Sequence, residues 1–420
     1  MKIKTSKKLS NRLRPIFLTA FFDGFILWYA AEKLFMKSIG FSDQQIALNA
    51  VIYAVIIIAV NVPAGILADR WSRKGVLAIS SLSLITGTLI SGSSNAFWPY
   101  ILGTAFWGLY FAIQSGIYES VIYDTLVEET GKPTDFEKYL GRVRLLMSAG
   151  LVAGSFASSL VVSLLNLRAT YYLTIPFTVI SLIALLRFRE PTVHRQGERQ
   201  HITAHASEMV RVLFSRVAVL QIALGMVFIT ALTQLTLEFD QLWLIALVMP
   251  LAIYGPVNAL LLSSLGAGGL LAGRLTGQRG RIFAVLVLLA CAAGLFMRWL
   301  PVVIISLTLL ATITTALEII LNRLLQDSLP SRVRASAASV VGTVTSVLFI
   351  PLALLFGRIS TARSVFSAAW IPFGLSLAIT VICLVIFLRR PDGSLRSALA
   401  TANINIPEAL AVPTIPKQTS

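Results

Sequence analysis

Six carboxylates lie inside or at the edges of long apolar stretches of this 420-residue chain: Asp23, Glu32, Glu119, Asp124, Glu238 and Glu318. An uncompensated charge in hydrocarbon is costly, so each needs a cation, a proton or a functional role. A carboxyl in such surroundings can take up and release one proton per working cycle. Asp23 and Glu119 are the candidates for that chemistry, because both should sit somewhat inward of the midplane. The alternative for either is a nearby cation or a helix cap. Glu32 adjoins Lys33 near one interface, where a local surface pair is equally consistent. Asp124 stands near a helix end and can bond Arg142 or Arg144 as a structural latch. Glu318 matches Glu119 in depth, and Arg323 lies about one turn below it, close enough to neutralise a charge there.

The elements that must hold these groups are membrane helices. Hydrophobic residues make up 56% of the chain and charged residues 13%, against roughly 25% charged in a soluble domain. Mean hydropathy is +0.81. Apolar runs of spanning length recur twelve times, near 15–38, 44–68, 75–94, 97–123, 142–165, 169–188, 216–237, 249–273, 281–299, 301–325, 335–357 and 365–388. Ten or eleven spans remain open, because 242–250 can be read as an interfacial segment. The fold class expected is an all-α polytopic membrane protein with two six-helix bundles. Residues 1–188 form the first bundle, 189–215 a polar linker, 216–390 the second bundle and 391–420 a Pro-containing disordered tail. His201 and His205 stand one helical turn apart in the linker, and they are read as incidental rather than metal-binding. Cys291 and Cys383 both fall inside spans and are expected to be free thiols.

The net charge of +16 raises the question of nucleic acid. If the spans alternate from an inside amino terminus, 29 of the 35 Lys and Arg residues fall on the inner side. That bias is the positive-inside pattern and places both termini in the cytoplasm. Nucleic-acid binding needs a shared basic face with interleaved aromatics, whereas this charge is spread over seven short segments. Nucleic acid is therefore excluded as a partner, and a monomer among membrane lipids is expected. No Gly-rich phosphate loop ending in Gly-Lys-Ser/Thr is present, which argues against ATP hydrolysis. The histidines cluster in the linker, which leaves no constellation for an enzyme. The only energy source the residues suggest is a proton gradient, without a cofactor.

One basic loop stands between the second and third spans, with Gly65, Asp69, Arg70, Arg73 and Lys74 at the spacing G-x-x-x-D-R-x-x-R-K. A weaker echo falls 204 residues later, where Gly269 and Arg274 are kept but Gly273 replaces the aspartate. Gly65 permits close helix approach. A carboxylate at position 69 can face a helix N-terminus, and the three cations can pair with carboxylates, so the cluster can latch two helices in one conformation. The echo near half the chain length suggests two halves moving about a central site.

In these residues the chain resembles the major facilitator superfamily, over roughly residues 12–390. Leu329-Pro330-Ser331-Arg332 and its sequel between spans ten and eleven add to the likeness. The resemblance implies two six-helix bundles, a central cavity and alternating access, with spans one and four lining the cavity. The fifth span is similar to that of drug–proton antiporters at Gly141, Gly150 and Gly154, but Ser155 replaces their proline and Ser158 and Ser159 their last glycines. The arginine many such antiporters carry in span four is absent. The substrate-cavity candidates are then Trp28, Tyr29, Trp107, Tyr110, Gln114, Tyr118 and Glu318. Aromatic walls with a few carboxylates suit lipophilic or cationic organic molecules, and lipid-facing packing is the alternative for each aromatic. The function implied is proton-coupled efflux of small amphipathic compounds, including antibiotics, across the cell membrane. A metabolite importer and a lipid flippase are the competing readings.

Overall fold

The structure, a computed structural model, describes residues 2–114, 117–132, 135–191, 217–275, 277–329 and 334–389. Every regular element among them is a helix. In the first half these are α1 (Lys2–Gly24), a 3-10 turn (Trp28–Ala31), α2 (Glu32–Ser38), α3 (Asp43–Arg70), α4 (Arg73–Ser93), α5 (Phe97–Gln114), α6 (Ile117–Thr130), α7 (Phe136–Leu164) and α8 (Leu167–Leu186). In the second half they are α9 (Val217–Ala246), a 3-10 turn (Leu251–Ile253), α10 (Tyr254–Arg274), α11 (Gln278–Gly294), α12 (Leu300–Ser328), α13 (Arg334–Ala362), α14 (Val365–Ala368) and α15 (Trp370–Arg389). Most of the expected linker, with His201 and His205, and the expected tail lie outside the described residues.

Ten of the described segments are long and apolar enough to cross a membrane. The α5–α6 pair and α11, which has 17 residues, fill the two remaining places in the expected alternation. The chain is thus a multi-pass, all-helical membrane protein. The seventh span differs from expectation: α9 runs to Ala246 rather than stopping near 237. Leu242, Trp243 and Leu244 are buried on it, so 242–246 belong to the span, and 247–250 form the turn that follows it.

Local chemistry explains several helix ends. Ser42 caps α3, accepting from the Gln45 N–H while the Gln45 side chain returns to the Ser42 N–H, a reciprocal capping box. Ser72 accepts from the Gly75 N–H at 2.8 Å, and Asn166 from the Ala169 N–H at 2.9 Å. The first span breaks after Gly24. Its backbone packs so tightly on Met147 of α7 that a Cβ there would collide with the Met147 carbonyl. The Leu27 N–H, freed by the break, donates to Thr174 Oγ1 at 3.1 Å, which satisfies a buried donor that would otherwise be left unpaired.

The two halves meet along α3 with α13 and along α7 with α10. The hydrogen bonds described between the halves lie at the end away from Lys2 and Arg389, the distal end. There the Gln44 N–H donates to Thr361 Oγ1 at 2.7 Å, and Ser360 donates to Asp43. Ser155 Oγ donates to Asn258 Oδ1 at 2.9 Å, and the Gly255 N–H donates to Ser159 Oγ at 2.7 Å. Both serines stand where the antiporter-like pattern has other residues, and here their hydroxyls fasten one half to the other. At the opposite end, a Cβ on Gly65, Gly141, Gly266, Gly273 or Gly342 would meet nothing within 4 Å. Gly65 therefore makes no close helix approach in this conformation, contrary to the expectation, and neither does Gly141. Close approach is carried by Gly150 and Gly154, whose missing side chains admit the backbone of Phe21 through Ile26.

Gly255 is the tightest point of the distal seam, because a Cβ there would overlap the Ser155 carbonyl oxygen. Gly255→Val is expected to disfavour this conformation by about 1–3 kcal/mol, the usual cost of overpacking. The check is thiol labelling of a cysteine placed at Leu261, a residue 2% exposed here. Labelling should accelerate in the Gly255→Val background. An unchanged rate would show that the seam tolerates the side chain.

Candidate functional site

Asp23 sits at the last turn of α1, one residue before the break, and is 3% exposed. Three neutral groups donate to its carboxyl. Ser181 Oγ lies 2.5 Å from Oδ1, and Gln114 Nε2 and Tyr118 Oη each lie 2.7 Å from Oδ2. Tyr110 Oη donates to the Asp23 carbonyl at 3.3 Å and accepts from Gln114 Nε2 at 2.8 Å. Among the described residues no Lys or Arg forms an ion pair with Asp23. A buried carboxyl that is hydrogen-bonded but not neutralised is equipped to exchange a proton or meet a cation.

Asp23 opens onto a cavity of about 240 Å³. Its walls include Trp28, Tyr29, Trp107, Tyr110 and Gln114, together with Glu32, Asn49, Tyr53 and Glu238. Trp28 and Trp107 stack with ring centroids 4.0 Å apart, and Tyr171 extends the stack at 5.6 Å from Trp28. Gly87 makes room for this arrangement, since a Cβ there would fall 2.6 Å from Trp107 Cδ1. Flat aromatic faces beside carboxylates attract cations and aromatic rings alike.

The other candidates are placed differently. Tyr118 is not in the cavity wall but reaches Asp23 from behind. Glu119, the next residue on α6, points about 100° further round the helix and pairs with Arg144 of α7 at 2.6 Å. Both side chains are well exposed, at 46% and 70%, so Glu119 is apart from Asp23 and outside the cavity wall. Glu318 is half-buried on α12, accepts from Thr230 Oγ1 at 3.4 Å and does not line the cavity. Arg323 is 85% exposed beside Asp327 rather than turned inward. Ser181 was not among the sequence candidates; a lone serine in the apolar sixth span gives no pattern to single it out.

Two ion-pair readings are corrected. Asp124 pairs with Arg73, not with Arg142 or Arg144. Arg73 and Asp124 face each other because the α3–α4 turn lies against α6, while Arg142 stacks over the Phe17 ring at 4.5 Å. Glu32 and Lys33 do not form a surface pair. They are 8% and 3% exposed, and Lys33 Nζ bridges Glu32 at 2.8 Å and Glu238 of α9 at 2.6 Å. The end of α9 covers them, which the shorter seventh span expected from the sequence would not do.

The basic loop is tied to the first half. Arg73 donates to the Ser120 carbonyl at 3.2 Å, and Lys74 Nζ to the Leu186 carbonyl at 2.7 Å. Glu190 accepts from Ser72 Oγ and from the Arg73 N–H, each at 2.6 Å, placing a carboxylate at the positive N-terminus of α4. Arg70 is exposed at the end of α3. The side chain of Asp69 lies outside the described part of the structure.

Residues 15–353 match the family model described as Major Facilitator Superfamily. A curated relative, an uncharacterized transporter of Buchnera aphidicola subsp. Acyrthosiphon pisum (strain APS), is 26% identical over 151 residues. That match covers 36% of this chain and 35% of the relative, so the chain spans about a third of its length. Among solved structures, the nucleoside transporter NupG superposes with a TM-score of 0.72 at 15% identity, covering 91% of this chain and 98% of its own. The D-xylose-proton symporter gives 0.66 at 13% identity, with 91% and 99% covered. A bacterial homolog of the human lysosomal transporter Spinster, in an inward-facing and occupied conformation, gives 0.63 at 15%, with 91% and 94% covered.

Proposed function

The chain belongs to the Major Facilitator Superfamily and is a transporter, and from that premise we propose that it is a proton-coupled exporter of small amphipathic organic compounds, cationic ones foremost. The observation that carries this reading is the Asp23 carboxyl, held by three neutral donors at the floor of an aromatic cavity. A carboxylate that binds either a proton or a cation, but not both, exchanges one for the other. In a membrane with an inward proton gradient, that exchange drives the cation outward. Trp28, Trp107 and Tyr110 supply flat faces for the apolar part of the substrate, while Gln114 and Tyr118 position the Asp23 carboxyl.

The same proposal sets the orientation. The basic face bearing both termini is cytoplasmic, so the sealed distal end faces outward and the molecule rests inward-facing. Residues 1–188 and 216–390 move as two bundles joined by the 189–215 linker. The basic loop with Arg73 and Lys74 braces the first bundle on its cytoplasmic side. The unit is a monomer in the cell membrane, with no cofactor beyond the proton gradient.

The test is transport into inverted vesicles of a panel of lipophilic cations and neutral lipophiles, with and without a protonophore. Gradient-dependent accumulation of at least one cation is expected, abolished when the gradient is collapsed. Accumulation indifferent to both the protein and the gradient across the whole panel would rule the proposal out.

A further inference from the structure

Beyond the Asp23 end of the cavity lies a second cluster of charges at the distal seal. Lys33 is 3% exposed, and its ammonium is held between Glu32 Oε2 at 2.8 Å and Glu238 Oε1 at 2.6 Å. Tyr100 Oη also donates to Glu32, at 3.4 Å. Asp240, 4% exposed, lies in the wall of the same small cavity as Lys33, Glu32 and Glu238, and its Oδ1 accepts from the Gln241 N–H at 2.6 Å. Two carboxylates therefore share one ammonium, with a third, Asp240, in the wall beside them. The segment is also stitched through its backbone: the Lys33 N–H donates to Gln241 Oε1 and Gln241 Nε2 to the Tyr29 carbonyl, each at 3.0 Å. Glu32 and Lys33 belong to the first half and Glu238, Asp240 and Gln241 to the second, so the ammonium is one of the ties holding the distal end shut.

Tyr29, Glu32 and Glu238 line both this cluster and the aromatic cavity. A molecule in the cavity thus touches the same two carboxylates that Lys33 occupies from the other side. We propose that Tyr29, Glu32 and Glu238 form a subsite for the cationic group of the substrate, in which Lys33 is an internal stand-in. A substrate cation arriving from the cavity takes over Glu238 and Glu32. Lys33 then loses its anchor on the second half, and the distal seal parts. No bond is made or broken; one cation replaces another on the same carboxylates. The inference rests on the cavity being the substrate site. It adds that site's charge requirement and the route from occupancy to opening, and it accounts for a lysine buried inside the protein.

The experiment uses the full chain in lipid nanodiscs, with Cys291 and Cys383 replaced by serine and spin labels at Ser38 and Ala246, exposed distal positions on opposite halves. The probe is tetraphenylphosphonium, with neutral triphenylphosphine oxide as control. In the parent chain the cation should lengthen the spin–spin distance and the neutral compound should not. Lys33→Met should populate the long distance with no probe, because Glu32 and Glu238 are then left to repel each other; Lys33→Arg should restore the short one. Glu238→Gln keeps an oxygen that can accept from Lys33 but loses the charge, and it should bind the probe roughly tenfold more weakly, as expected for loss of one ionic contact. A Lys33→Met distance distribution identical to the parent's, or equal cation affinity in parent and Glu238→Gln, overturns the inference while leaving the cavity reading intact. Failure of the parent chain to bind the cation at all overturns both.

Discussion

Replacing Asp23 by asparagine is expected to uncouple transport from the proton gradient while leaving the cavity in place. Asparagine keeps the size of the side chain and one acceptor oxygen, which can still accept from the donors on one side, Ser181 or the Gln114–Tyr118 pair. It can bear neither the proton nor the compensating charge for a cation. Uphill accumulation should fall by the coupling between proton and substrate, on the order of 1–3 kcal/mol or 5–150-fold. Downhill exchange of labelled for unlabelled substrate should persist at saturating substrate, with a raised half-saturation for cations, because it requires only that the halves rock with substrate bound. The pair of assays separates coupling from folding and from binding. Full gradient-driven accumulation by Asp23→Asn would remove Asp23 from the mechanism. Glu119→Gln offers the contrast: with its carboxylate exposed against Arg144, it should cost little, since exposed pairs contribute about 0–1 kcal/mol.

The second large effect is expected at Arg73. Asp124 is 3% exposed, and the Arg73 guanidinium is its charged partner in the structure. Truncating one member of a buried pair leaves the other charge desolvated, at a cost of about 3–5 kcal/mol. Arg73→Ala should therefore lower thermal stability in detergent sharply. Arg73→Met combined with Asp124→Leu should recover most of it, because a buried pair can be replaced by apolar residues of similar volume. If the single and double variants are equally destabilised, packing of the Arg73 side chain dominates and the ion pair is minor. Lys74, which reaches only a backbone carbonyl at the surface, should tolerate substitution far better.

What could be read from the residues, and what could not, divides along a physical line. Apolar runs of spanning length and the one-sided distribution of Lys and Arg are local properties, so the helical membrane class and the alternation of spans followed from composition and periodicity. Asp23 stood out because a carboxylate in an apolar run is conspicuous anywhere. Its three donors did not, since Ser181 lies 158 positions away in sequence and its proximity exists only once α8 packs on α1. The same holds for Lys33 and Glu238, separated by 205 positions: sequence neighbours suggested a surface pair, and the partner from the other half made it a buried one. For Glu119 the structure shows the alternative that the residues left open, a nearby cation, Arg144. Depth was legible, but the side of the helix it faces was set by the restart of the helix at Ile117. The serines of the fifth span looked like losses from a glycine pattern, yet Ser155 and Ser159 acquired partners across the seam.

Among the described residues, the partners of Asp23 come entirely from the first half: Ser181, Tyr118 and Gln114 travel with it. Those of Lys33 come from both halves. In the proposed cycle, seen from the first bundle's own frame of reference, Asp23 is stationary, and rocking changes only which aqueous compartment it faces. The carboxylate pair around Lys33 behaves in the opposite manner, since it exists as a pair only while the distal end is shut and is dismantled by the stroke itself. One binding event can thus occur at any stage of the cycle, and the other only at one stage. That inequality imposes an order on the steps, much as a pawl does on a wheel, and it needs no moving part other than the two bundles.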